Sequence, residues 1–153
     1  MNLYKKTELL LPIALLVASY NSHAGDIMSA SCSEPVGVRY DRVGGKIKRN
    51  DDGFSGVNPQ FVFSKSNPAK LTVIWPDSKT LGASAKQQTH EATIIDSNES
   101  MVSAVVLYEQ RVNLYTLFPS QGVAFMSTHR NIPLQGGIPS GAIFKLECKF
   151  EFN

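Results

Sequence analysis

Ile143-Phe144-Lys145-Leu146-Glu147-Cys148-Lys149-Phe150-Glu151-Phe152 is the most regular stretch of the chain. Phe144, Leu146, Cys148, Phe150 and Phe152 alternate with Lys145, Glu147, Lys149 and Glu151, a period of two with every charge on one side. Successive side chains of a strand point to opposite faces, so the pattern predicts a half-buried β-strand whose Cys148 sulfur points into a core.

The only other cysteine is Cys32, in the pattern Met28, Ala30, Cys32, which places its sulfur on an apolar face as well. The segment ahead of it reads as a secretory leader over residues 1–24. Lys5 and Lys6 supply a positive start, Leu9 to Val17 an apolar run, and Ser22-His23-Ala24 a small-x-small cleavage site, so the exported chain is expected to begin at Gly25. In an oxidising compartment two cysteines are expected to pair, here as Cys32–Cys148. Closing a loop of roughly 115 residues stabilises by about 4 to 5 kcal/mol in the chain-entropy picture. A lipid anchor on Cys32 would need an apolar lipobox, and Ser29-Ala30-Ser31 stands there instead.

Removing 24 of the 153 residues leaves 129, which suits a single domain, 25–153. The leader takes Lys5, Lys6 and Glu8 with it, so the 15 basic and 13 acidic side chains fall to 13 and 12. That balance, with no basic run longer than Lys48-Arg49, argues against nucleic acid or an anionic membrane as partner. No stretch approaches the ~20 apolar residues of a membrane-spanning helix.

Between the cysteines, Gln60 to Lys65 and Lys70 to Trp75 suggest a hairpin across Ser66-Asn67-Pro68-Ala69. Glu91 to Asp96, Met101 to Glu109, Val112 to Phe118 and Gly122 to Thr128 follow, separated by short turns. The expected fold is all-β: one antiparallel domain of about eight strands, barrel-like or a two-sheet sandwich, with its terminal strands joined by the disulfide. A barrel is preferred, because a disulfide needs the terminal strands' Cα atoms within about 7 Å. Asp41 to Pro59, Pro76 to His90 and His129 to Ala142 lack strand pattern and are expected as long loops, the second with a short helix near Ser84 to Gln88.

Metal and catalytic motifs fare poorly. Lys48 to Pro59 contains Asp51-Asp52-Gly53, but an EF-hand frame puts Lys48 at its first position and Pro59 at its twelfth, where oxygen ligands belong. Turn chemistry is the preferred reading, with Phe54 anchoring the loop on the sheet. His90 and His129 are the only imidazoles after the leader. Ser127, Ser140 or Asp96 can be grouped with either of them only on paper, and no nucleophile elbow or H-E-x-x-H pair occurs. Gly44-Gly45 and Gly136-Gly137 read as turns rather than phosphate loops. No cofactor and no metal are expected.

Ser140-Gly141-Ala142-Ile143-Phe144 is similar to the Ser-Gly-x-x-aromatic element of the periplasmic C-type lysozyme inhibitors, small β-barrels that present this loop to an enzyme cleft. The resemblance covers five residues; Phe144 replaces the family's Tyr, and the family's tyrosine followed by Thr-Lys-Gly is missing from this chain. It implies Ser140 as a contact residue. The preferred reading of the same segment is that Gly136, Gly137, Pro139 and Gly141 shape the entry to the last strand.

The expected function is that of an exported, noncatalytic binding or inhibitory module, periplasmic or else extracellular, whose partner is a protein or cell-envelope component. Recognition is expected through loops carrying Phe54, Lys79, Lys86, Arg130 and Ser140. A small hydrolase using His129 or His90 is the alternative. The third reading is a carrier of an apolar ligand inside a barrel lined by Trp75, Phe61, Phe63 and Phe125.

Overall fold

The computed structural model describes residues 27–76, 87–132 and 138–153. The leader, Lys79, Lys86 and the Gly136-Gly137 pair lie outside them. Among the described residues ten antiparallel strands run in chain order: β1 (Ile27–Cys32), β2 (Val36–Val43), β3 (Lys46–Gly53), β4 (Gln60–Ser64), β5 (Lys70–Trp75), β6 (Gln88–Ser97), β7 (Val102–Tyr108), β8 (Arg111–Phe118), β9 (Val123–Ile132) and β10 (Ile138–Phe152). A 3-10 turn at Pro119–Gln121 joins β8 to β9. Eight strands close a barrel in the order β1-β4-β5-β6-β7-β8-β9-β10, with β10 pairing back onto β1. The barrel preferred from the sequence, with its first and last strands as neighbours, is the architecture observed.

β10 is the spine of the molecule. One of its edges pairs with β9 from Ile138 to Glu147. The other edge is divided, taking β2 over Ser140 to Lys145 and β1 over Cys148 to Phe152. β1 and β2 therefore behave as one long strand interrupted at Ser33-Glu34-Pro35. The interruption is patched by Ser33 N–H donating to the Glu147 carbonyl at 2.7 Å and Glu147 N–H donating to Ser33 Oγ at 3.0 Å. Cys32 and Cys148 face each other at the end of the β1 pairing, with their Cα atoms 4.0 Å apart, and form the disulfide. Gly37 is where β2 presses hardest on β10: a Cβ there would lie 1.9 Å from the Ile143 carbonyl oxygen, so no larger residue fits.

The alternation read in Ile143–Phe152 is realised as far as Phe150, which is partly buried, whereas Phe152 at the strand's end is 55% exposed. Phe144, Leu146 and Cys148 point inward with Met28, Ala30, Cys32, Phe61, Leu71, Val73, Ala92, Ala104, Leu117 and Ala124. Phe61 meets Tyr115 edge-on at 5.7 Å between ring centroids. Burying a large apolar side chain is worth about 1.5 to 3 kcal/mol, and this cluster supplies most of the driving force for closure.

Two of the three expected loops are largely strand. Asp41 to Pro59 contains the end of β2 and all of β3, which form a hairpin arm extending the sheet beyond β10. Its turn is Gly44-Gly45, with φ of 58° and 77°, the doubly left-handed geometry of a tight hairpin. The arm carried no alternation because it has no buried face: every residue of β3 except Asp52 is exposed. Among the described residues its outer edge pairs with no further strand, and Lys46, Lys48 and Arg49 are the kind of charges that keep such an edge from recruiting one. Asp51 and Asp52 are consecutive in β3, so they face opposite ways and cannot chelate one ion together. Asp52 accepts from Arg39 at 2.9 Å and Asp51 pairs with Arg49 at 3.2 Å. In His129 to Ala142, β9 runs on to Ile132 and β10 starts at Ile138. Of the expected helix near Ser84 to Gln88, Gln88 instead opens β6, and residues 84–86 lie outside the described residues.

Candidate functional site at the barrel mouth

Three neighbouring strands change character together along the barrel wall. On β8 the inward positions read Leu117, Tyr115, Asn113, Arg111; on β9 their partners read Ala124, Met126, Thr128, Arg130; on β10, Leu146, Phe144, Ala142, Ser140. On β8 the interior thus passes from aliphatic to aromatic to neutral polar to cationic within four inward positions, β9 passes from apolar to polar to cationic, and β10 ends uncharged at Ser140. The cationic end is one mouth of the barrel, and it opens into a cavity of about 170 Å³.

The apolar lining of this cavity comes from Phe54, Val57, Trp75, Pro76 and Met126. Phe54 reaches it from the segment that carries the chain from β3 to β4. Its ring packs 5.1 Å from Phe144 and 5.7 Å from Trp75, so it anchors that segment as the sequence suggested. The polar lining comes from Gln88, His90, Tyr108, Arg111, Asn113, Thr128 and Arg130. The guanidinium of Arg111 lies 4.1 Å over the Tyr108 ring, and His90 meets the same ring edge-on at 5.5 Å. Burial, helped by the neighbouring Arg111 charge, holds the His90 imidazole below its ordinary pKa, so it is neutral at pH 7.

Beneath the rim, Asn113 and Trp75 turn donors toward the Tyr115 hydroxyl, Asn113 Nδ2 at 3.2 Å. Burial pushes the Tyr115 phenol up from its usual value, so it stays protonated. Two polar atoms in this layer have no partner among the described residues, Asn113 Oδ1 and Thr128 Oγ1. An unmet buried polar atom costs about 1 to 3 kcal/mol, and native interiors hold few of them. Both of these belong to residues that line the cavity.

The arm adds a charged shoulder. Arg39 donates to Asp41 at 2.7 Å and to Asp52 at 2.9 Å. Ser140 is 7% exposed and stands opposite Asp41 in the β2–β10 register and opposite Arg130 in the β9–β10 register. The Ser140 hydroxyl, followed by Arg39 and the Arg130 charge, holds the Asp41 carboxyl below its ordinary pKa against the effect of burial, although no hydrogen bond of ordinary geometry reaches Asp41 Oδ1.

Phe54, Arg130 and Ser140 therefore converge on one end of the barrel, but as parts of its wall and plug. Ser140 is paired on both sides within β10 and is 7% exposed, standing opposite Asp41, where the inhibitor resemblance implied an exposed contact in a loop. The histidines separate. His90 faces the cavity, whereas His129, one residue beyond the inward Thr128, is exposed on the outer wall beside Gly141. Asp96 lies six residues along β6 from His90, about 20 Å at the usual strand rise, and so cannot orient it. The sequence reading missed Arg111, Asn113 and Thr128. Their signal was present: Arg111 and Asn113 fall in phase with Tyr115 and Leu117, which marks them as interior polar groups once β8 is started at Arg111 rather than Val112. No protein-family model, curated protein or solved structure matches the chain.

Proposed function

We propose that the protein is an exported, noncatalytic binding module that receives a group of its partner in the mouth of the barrel. The observation that carries this reading is the cavity layer of Asn113 and Thr128, whose buried polar atoms are unmet, beneath a cationic rim. A fold retains such groups at a cost to stability, and completion by a ligand accounts for the cost. The described lining holds no carboxylate or thiol, and its one imidazole is flanked by an arginine and a tyrosine, a setting that favours holding over bond-breaking. The leader-like N-terminus and the disulfide support export, with the periplasm as the compartment and a protein or envelope component as the source of the ligand. As a carrier of bulky apolar cargo the barrel is poorly suited. Below the mouth, Phe61, Tyr115, Phe144, Leu117 and Leu146 are fully buried, and the cavity falls short of the ~300 Å³ at which ordinary ligand pockets begin.

The test is a titration of isotope-labelled, oxidised protein with fractionated envelope extract, read by amide and side-chain NMR shifts. Saturable shifts centred on His90, Arg111, Asn113 and Thr128, retained in His90→Gln, are expected. Shifts confined to the outer wall around His129 would overturn the mouth as the site. Time-dependent product formation that disappears in His90→Gln would replace the binding reading with the hydrolase.

A further inference from the structure

We infer that the mouth is specific for a carboxylate borne on a ring-sized apolar body. This rests on the mouth being the recognition site and names the chemistry of what enters it. Arg111 and Arg130 are direct register partners on β8 and β9, and like charges placed opposite each other repel. No carboxylate lines the cavity among the described residues. Asp41, whose carboxyl feels the Arg130 charge, is bound by Arg39 and lies outside this cavity. An anion between the two guanidinium groups would resolve the repulsion, and a planar carboxylate matches their fork geometry.

The layer below also offers donors. Rotating the Asn113 amide by half a turn exchanges Oδ1 and Nδ2 without moving the carbon skeleton. Tyr115 O–H then donates to Oδ1 while its oxygen still accepts from Trp75, so the phenol proton gains an acceptor and both Asn113 N–H donors are freed. The Asn113 and Thr128 atoms are closed off from solvent in the free fold and become reachable when their side chains turn toward the cavity; the two arginines already line it, and together these donors suit acceptor oxygens. The remaining walls are Phe54, Trp75 and Met126. A dry cavity of about 150 Å³ is enough for a benzene ring, so a single ring or a side chain of that size fits beneath the carboxylate. Such a group occurs both as a free aromatic acid and as the C-terminal residue of a peptide.

Trp75 is the only tryptophan, which makes its fluorescence a local reporter. The titrants are benzoate and N-acetyl-Gly-Gly-Phe, each beside its neutral amide, together with inorganic phosphate. At least one acid should bind saturably and at least tenfold more tightly than its amide, with affinity falling as salt is raised. The acid that binds identifies the source: benzoate alone points to a free acid, the peptide to a chain terminus. In Arg111→Met with Arg130→Met, a variant whose fold is checked by its melt, the preference for acid over amide should vanish. Equal binding of acid and amide would overturn the carboxylate. Phosphate binding as tightly as either acid would overturn the ring-sized body. Absence of binding by both acids up to 10 mM would overturn the inference as a whole, while the extract titration above decides separately whether the mouth binds anything.

Discussion

The two halves of the barrel are built from the same strands and obey opposite rules. Around Leu117, Ala124, Leu146 and the Cys32–Cys148 bridge, every inward side chain is apolar, packed and locked across the β1–β10 seam. Four to six strand positions away, the inward side chains are Asn113 and Thr128, then Arg111 and Arg130, with unmet polar atoms and a like-charge pair. One half is optimised for holding together. The other carries closed-off polar atoms without partners and a pair of exposed like charges, the features on which the binding proposal rests.

Substitutions in the packed half should therefore be costly, and substitutions in the mouth cheap or favourable. Phe61→Ala removes a fully buried ring that also contacts Tyr115, and a loss of about 3 to 5 kcal/mol is expected in chemical denaturation. A loss under about 1 kcal/mol would mean that the packed half is not the stabilising one. Replacing both cysteines by serine should cost about 2 to 5 kcal/mol, and reduction of the native protein should lower its Tm correspondingly. Free-thiol titration of the unfolded, unreduced protein should find none.

Thr128→Val reverses the sign. The substitution keeps the shape and removes a buried hydroxyl without a partner, so stability should be unchanged or rise by up to ~1 kcal/mol. A loss larger than that would show that the hydroxyl is satisfied in the free protein. The smallest effect is in the pH dependence. Because the folded state holds His90 below its ordinary pKa, the unfolded chain takes up the proton first as pH falls. Stability should therefore decline from about pH 6.5 down to the folded pKa, and His90→Gln should flatten that slope relative to wild type. Parallel stability–pH curves for the two proteins would contradict the burial of this imidazole.

The packed half was legible because burial leaves a period in the sequence. Ile143–Phe152 announced its strand, its inward face and, through Cys148, its neighbour. The arm was silent for the complementary reason: Lys46 to Gly53 is almost wholly exposed, and a strand with no buried face has nothing to alternate. The mouth lies between these cases. Phe54 and Arg130 were singled out as members of loops, and Trp75 and His90 entered only through the carrier and hydrolase readings. What joins them is the β8–β9 register, which sets Arg111 against Arg130 and Asn113 against Thr128. Register is a property of two strands at once and is written in neither alone.

β10 has a consequence in time as well as in space. It is the last strand of the chain, and both β1 and the arm hang from it, so a chain emerging from its N-terminus presents a first strand whose β10 partner does not yet exist. Pairings of such large sequence separation form slowly, because the intervening chain must be ordered before the contact repays it. The hairpins from β4 to β9 can assemble early, but the seam waits for Cys148, and the disulfide becomes a lock that only a finished molecule can turn.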